Sequence, residues 1–218
     1  MKLGYFGKML GYQAQNSCND YSCSPPAGAN EKAGEFRIQP SKYNIPFDLI
    51  EINEDAVVVN IVSGLGYEIL KASEKTGTNG KVIGVDFSPA MMYRARYNVE
   101  KTGCKNVFFR EVFSRKFLPL GANVTDILIF NKLLNKVPIK NLFSEIYRIL
   151  KPGGVFYIYD NIAGCPDCSN ASSKNSYIQI LNAFGFKDVI IREFTENTPA
   201  DEYPSPKNLK TALIRGEK

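Results

Sequence analysis

Val57-Val58-Val59-Asn60-Ile61-Val62-Ser63-Gly64-Leu65-Gly66, followed by Val82-Ile83-Gly84-Val85-Asp86, is the stretch that decides the fold. A run this rich in β-branched residues reads as a strand buried on both faces, the habit of parallel sheets. The glycines that follow let backbone approach a ligand closely and start a helix whose N–H groups point at it. The second run ends on a carboxylate, which offers two acceptor oxygens to the hydroxyls of a ribose. A nucleoside-containing ligand at the carboxyl ends of these strands is the first expectation.

Outward from this core the segments alternate. Strand-like Val57–Val62 leads to a helix over Gly64–Lys75, and strand Lys81–Val85 leads to a helix over Pro89–Lys101. Further strands fall at Asn106–Arg110, Asp126–Phe130 and Val155–Tyr159. A helix at Ile139–Leu150 carries Leu142, Ile146, Ile149 and Leu150 at helical spacing and breaks at Lys151-Pro152-Gly153-Gly154. Ser176–Phe184 reads as the last helix, capped by Gly185, before strands Val189–Phe194 and Thr211–Ile214. The alternation predicts an α/β, doubly wound, seven-stranded and mostly parallel sheet, with the last two strands as a hairpin at one edge. Residues 1–44 differ. They hold Cys18, Cys23 and a Gly/Pro/Asn/Ser-rich stretch from Ser24 to Gly34, and read as an N-terminal cysteine-containing segment, partly loop, ahead of a domain over 45–218.

The chain has 218 residues, 44% of them apolar, enough for a core that needs no disulfides. Its net charge of +5 is spread rather than clustered, so no nucleic-acid stripe is expected. No apolar run approaches the ~20 residues of a membrane span, and Met1-Lys2-Leu3-Gly4 opens no signal-peptide core, which predicts a cytoplasmic protein. Five cysteines, an odd number, point to thiols rather than a disulfide framework. With no histidine anywhere, Ser-His and Cys-His nucleophiles and His-ligated metal sites are ruled out.

Ser63-Gly64-x-Gly66, Asp86-Phe87-Ser88-Pro89-x-Met91, Leu118-Pro119-Leu120 and Leu150-Lys151-Pro152-Gly153-Gly154, in this order and spacing, resemble the class I S-adenosylmethionine-dependent methyltransferases over about residues 45–215. The resemblance implies that Ser63, Gly64 and Gly66 line the methionine part of the cofactor S-adenosyl-L-methionine. It implies further that Asp86 binds the ribose, Phe87 and Met91 flank the adenine, and Val112 and Phe113 close over its edge. Asn131 and Leu133 would lie near the sulfonium. Asn60 stands where that family usually has an acid, Val62 where it usually has glycine, and Ser114 where a carboxylate often receives the adenine amino group. Weakened cofactor binding is the expectation from these three departures.

Tyr5-Phe6-Gly7-Lys8-Met9-Leu10 with Cys18, Phe130-Asn131-Lys132-Leu133-Leu134-Asn135-Lys136-Val137-Pro138, and Cys168-Ser169-Asn170-Ala171 resemble arsenite methyltransferases. The resemblance implies that Cys18, Cys23 and Cys168, joined by Cys165, hold trivalent arsenic as a small-molecule substrate, since a soft centre takes sulfur ligands. No resident metal is expected. A zinc site of Cys18, Cys23, Cys165 and Cys168, or four unligated thiols, are the alternatives. Cys104 reads as a small hydrophobe at a turn. An oxygen or nitrogen acceptor would need a base, for which Tyr5, Glu68 and Asp160 are the candidates. Methylation of another small molecule, as in quinone biosynthesis, and a module that keeps the fold without catalysis stay open. Oligomeric state is not legible.

Overall fold

The computed structural model describes residues 45–61, 64–112, 117–131, 134, 138–162, 174–194 and 211–218. All belong to one unit, Phe36–Lys218. Its strands are β1 (Val57–Ile61), β2 (Lys81–Asp86), β3 (Val107–Glu111), β4 (Thr125–Asn131), β5 (Leu150–Asn161), β6 (Lys187–Phe194) and β7 (Thr211–Glu217). The helices are α1 (Tyr67–Thr76), α2 (Pro89–Lys101), α3 (Ile139–Ile149) and α4 (Lys174–Ala183). The sheet has the order β3-β2-β1-β4-β5-β7-β6, with β7 antiparallel to both neighbours and every other pairing parallel. The expected α/β architecture is therefore present. The terminal hairpin lies at the expected edge, with β7 inserted between β5 and β6.

Each face of the sheet has its own core, and the strands alternate between them. Val59, Ile61, Leu128, Phe130, Phe156 and Ile158 pack with Leu142, Phe143 and Ile146 of α3 and with Tyr177 and Leu181 of α4. Val58, Ile127, Ile129 and Tyr157 pack on the other face with Ile69 and Ala72 of α1 and Val99 of α2. Burial on both faces is why β1 reads as an unbroken apolar run. The chain leaves β1 toward β3 on one side, then returns to place β4 on the other, so β1 and β4 form the switch point of the sheet. Ligands of open α/β sheets bind at the carboxyl ends of strands beside such a point.

Most boundaries shift by a residue or two, β7 runs on to Glu217, and two starts differ more from the sequence expectation. The first helix begins at Tyr67, because Gly64 (φ 52°) and Gly66 (φ 94°) are left-handed and keep the turn out of helical geometry. β5 begins at Leu150, which pairs with Thr125 across a register shift before the regular pairing of Val155 with Ile127. The Pro-Gly-Gly sequence thus bulges within the strand and does not precede it. α2 starts as its sequence suggests, with Ser88 Oγ accepting from the Met91 N–H at 3.4 Å and Pro89 in the first turn. Among the described residues no helix is long and apolar enough to cross a membrane.

The Leu118–Leu120 segment is clamped to α3. Glu145 Oε2 accepts the Leu118 N–H at 2.7 Å, and Arg148 donates to the Leu120 carbonyl at 2.8 Å and the Leu118 carbonyl at 3.3 Å. Arg148 also holds both Glu145 oxygens, at 2.6 and 2.7 Å. Burial works to raise the Glu145 carboxyl, but the Arg148 hydrogen bonds, the Leu118 N–H and the guanidinium charge outweigh it and hold the group below its ordinary value of 4.5. A carboxyl depressed by folding stabilises the fold fully above its unfolded value and loses that contribution as pH falls through the folded one. Glu145→Gln is therefore expected to lower the urea midpoint at neutral pH and to flatten its fall in the window below about 4.5. The neutral-pH cost should be about 1–3 kcal/mol, near the low end because the Arg148 side chain is 34% exposed. A second expectation concerns Gly84, where an added Cβ would lie 2.5 Å from Ile69 Cδ1 and 2.9 Å from the Phe109 ring. Gly84→Ala should destabilise by about 1–3 kcal/mol through overpacking, read as a lower thermal midpoint.

Candidate functional site

At the carboxyl end of β2, Asp86 is 5% exposed. Its Oδ1 accepts the Ser88 N–H at 2.9 Å, a local turn that fixes the carboxylate as the chain enters α2. A carboxylate has about four acceptor sites, so this turn and a ribose diol can be served together. Phe87 and Val112 are half-buried against the α3-side core, and Met91 is exposed on the first turn of α2. These four residues come from the end of β2, the turn after it, the start of α2 and the residue after β3, at the carboxyl ends of neighbouring strands.

The glycine turn follows the neighbouring strand β1. An added Cβ at Gly66 would touch Val99 Cγ2 at 3.3 Å and the Ala95 carbonyl at 3.4 Å, so this residue backs directly onto α2. At Gly64 an added Cβ would meet nothing within 4 Å, leaving open space over the turn. Asn98 Nδ2 donates to the Leu65 carbonyl at 3.0 Å and ties the turn to α2. An open, backbone-lined turn beside a buried strand-end carboxylate fits a nucleoside joined to an amino-acid tail.

Asn60 is 1% exposed and Glu68 6% exposed. Asn131, at the end of β4, donates from Nδ2 to Glu68 Oε1 at 3.3 Å. Asp160 is 2% exposed, and its two oxygens accept the N–H groups of Leu134 and Asn161, each at 2.7 Å. As a base candidate Asp160 gives way to a structural role, because it anchors the loop after β4 to β5. Half-buried Cys104 packs against the α1-side core, in keeping with a small hydrophobe at the turn between α2 and β3. Cys18, Cys23, Cys165, Cys168, Tyr5, Val62, Ser63, Lys132, Leu133, Phe113 and Ser114 lie outside the described residues. Among the described residues no group of His, Cys, Asp or Glu side chains could hold a metal ion.

Sequence reasoning did not find the Asn98 tie, the Asn131–Glu68 pair or the Glu145–Arg148 clamp. Each ties together segments distant in sequence through polar side chains, and such ties leave no periodic signal. A polar cleft of about 560 Å³, lined in part by Asp55, Asp126, Lys151 and Arg215, opens at the amino-terminal ends of β1 and β4. It lies at the opposite end of the sheet from these groups.

A family model described as a methyltransferase domain matches residues 52–198. The arsenite methyltransferase of Halobacterium salinarum is 32% identical over 158 residues, which cover 65% of this chain and 40% of that protein. The demethylmenaquinone methyltransferase of Symbiobacterium thermophilum is 32% identical over 100 residues, 45% of this chain and 40% of that one. The chain thus spans less than half the length of these curated relatives. Among solved structures, an arsenic(III) S-adenosylmethionine methyltransferase from Chlamydomonas reinhardtii superposes with a TM-score of 0.56 at 23% identity, covering 75% of this chain and 63% of that one.

Proposed function

The chain belongs to the methyltransferase-domain family and has the class I S-adenosylmethionine-dependent fold, and from that premise we propose that it methylates a small, soft acceptor, thiol-bound trivalent arsenic. The observation that supports the cofactor half of this reading is the buried Asp86 carboxylate at the end of β2, next to β1, whose glycine turn has open space at Gly64. In this reading Asp86 accepts from the ribose hydroxyls. Phe87 and Met91 pack against the adenine, and Val112 with Phe113 covers its edge. Ser63, Gly64 and Gly66 present backbone to the methionine part, and Asn60, Asn131 and Leu133 border it. S-adenosylmethionine supplies an electrophilic methyl on a sulfonium.

In this reading Cys18, Cys23 and Cys168 are the thiolate ligands of the arsenic. The substrate's arsenic lone pair would accept the methyl group, arsenic would take over the positive charge that the sulfonium gives up, and the cofactor would leave as a neutral thioether. No proton moves at the attacking atom, so no general base is required, in accord with a chain that has no histidine. The protein's contribution is alignment and exclusion of water, and alignment alone can remove roughly 7–11 kcal/mol of a barrier. Supporting the arsenic acceptor are the cysteine pattern and the similarity to the Halobacterium protein. A second reading, methylation of a quinone-type carbon acceptor, is favoured by the similarity to the Symbiobacterium protein and assigns no role to the cysteines.

Calorimetric titration with S-adenosylhomocysteine should show binding that Asp86→Ala weakens by about ten- to a hundredfold, the worth of hydrogen bonds to a charged group. With S-adenosylmethionine and arsenite, methylated arsenic should form in the wild type and not in Cys168→Ser. Turnover of a quinone acceptor that survives Cys168→Ser, with no product from arsenite, would replace the arsenic reading by the second one.

A further inference from the structure

α2 buries Met92, Ala95 and Val99, which leaves Tyr93, Arg94, Tyr97 and Lys101 on its outward side. Tyr93 is 67% exposed and Tyr97 48%. Lys101 Nζ stands 4.8 Å from the Tyr97 ring centroid, so cation and ring share one surface. Asn98, which donates to the Leu65 carbonyl, brings exposed Leu65 against the flank of the helix, and exposed Met91 lies on the same flank. Of the eight exposed large hydrophobic side chains among the described residues, four therefore lie on or against this one helix.

The charge around them has one sign. The helix has three cations, Arg94, Arg96 and Lys101, against one carboxylate, Glu100, and exposed Lys105 follows in the turn before β3. Among the described residues no ion pair neutralises Arg94, Arg96 or Lys105. A second copy of this face is therefore a poor partner, because like charges would meet. Nucleic acid fits poorly as well. Base stacking needs open ring faces, and Tyr97, Phe108 and Phe109 already carry Lys101, Lys81 and Arg96. Leu65 and Met91 offer nothing to a phosphate backbone. An anionic lipid surface uses every one of these features. Cations meet the headgroup phosphates, while tyrosine rings and aliphatic tips sit at the boundary with the acyl chains. The outer side of a helix is convex, and a bilayer needs no groove to receive it.

We propose that the outward face of α2 is a docking surface for an anionic phospholipid bilayer. The contact is peripheral and reversible, since among the described residues no helix is long and apolar enough to span. It goes beyond the methyl-transfer reading and does not depend on which acceptor is methylated.

The test is sedimentation of the full chain with vesicles of phosphatidylcholine alone or mixed with phosphatidylglycerol. Binding should be confined to the mixed vesicles and weaken as salt rises. Each cation at such a surface is worth about fivefold, so Arg94→Gln with Lys101→Gln should lower the partition about tenfold or more and flatten its salt dependence. Tyr93→Gln with Tyr97→Gln should lower the partition and keep the salt dependence. Lys174→Gln with Lys187→Gln removes the same charge at α4 and the opposite edge strand, and should leave the partition at its wild-type value. All six side chains are at least partly exposed, so the thermal midpoint should hold in every variant. No binding to either vesicle, equal binding to both, or an equal loss in the Lys174 and Lys187 pair would overturn the surface. Tighter binding to single-stranded RNA than to the mixed vesicles at the same salt, lost in the Arg94 and Lys101 pair, would overturn it in favour of nucleic acid.

Discussion

With no side chain at Gly84, α1 settles onto β2 until Ile69 Cδ1 stands 2.5 Å from where a Cβ would be. The site depends on that approach. It brings the first turn of α1, and the glycine turn before it, down to the carboxyl ends of β1 and β4. Gly66, left-handed and backed against Val99 and Ala95, lets the chain turn sharply enough to enter the helix there. A larger residue at either glycine would lift the turn away from the buried Asp86, and the crevice between them would lose its shape.

Around this centre, connecting segments are held by polar side chains from regular elements. Asn98 of α2 holds the Leu65 carbonyl, Asp160 of β5 holds the Leu134 N–H, and Glu145 with Arg148 of α3 holds the Leu118–Leu120 segment. Two of these anchors are carboxylates buried among charge-assisted hydrogen bonds, the geometry in which a buried charge is tolerated. Both are therefore occupied with positioning these segments.

The order of elements was legible because the central strands β1, β2 and β4 are buried on both faces and each helix on one, and both habits write distinct periods into a sequence. The edge strands β3 and β6 are largely exposed and were legible from their place in the alternation. The start of α1 and the start of β5 were not, since a positive φ at Gly64 and Gly66 and a register shift beside Thr125 are decided by packing against α2 and β4. At the site, the strand-end Asp86 and the glycine turn could be read from spacing. The role of Asp160 could not, because its backbone partner Leu134 lies on another loop.

What the amino-acid sequence determined by itself is the doubly wound sheet, which follows from local patterns of burial, and the family, which its motifs resemble. Tertiary structure alone decided which carboxylate does what. Glu68, Asp86, Glu145 and Asp160 are alike as sequence. They differ in the fold because each meets different partners: a strand-end amide for Glu68, its own turn for Asp86, a guanidinium and a backbone N–H for Glu145, and backbone N–H groups for Asp160. A charge acquires its role from what lies within hydrogen-bond distance, and only chain folding sets that distance.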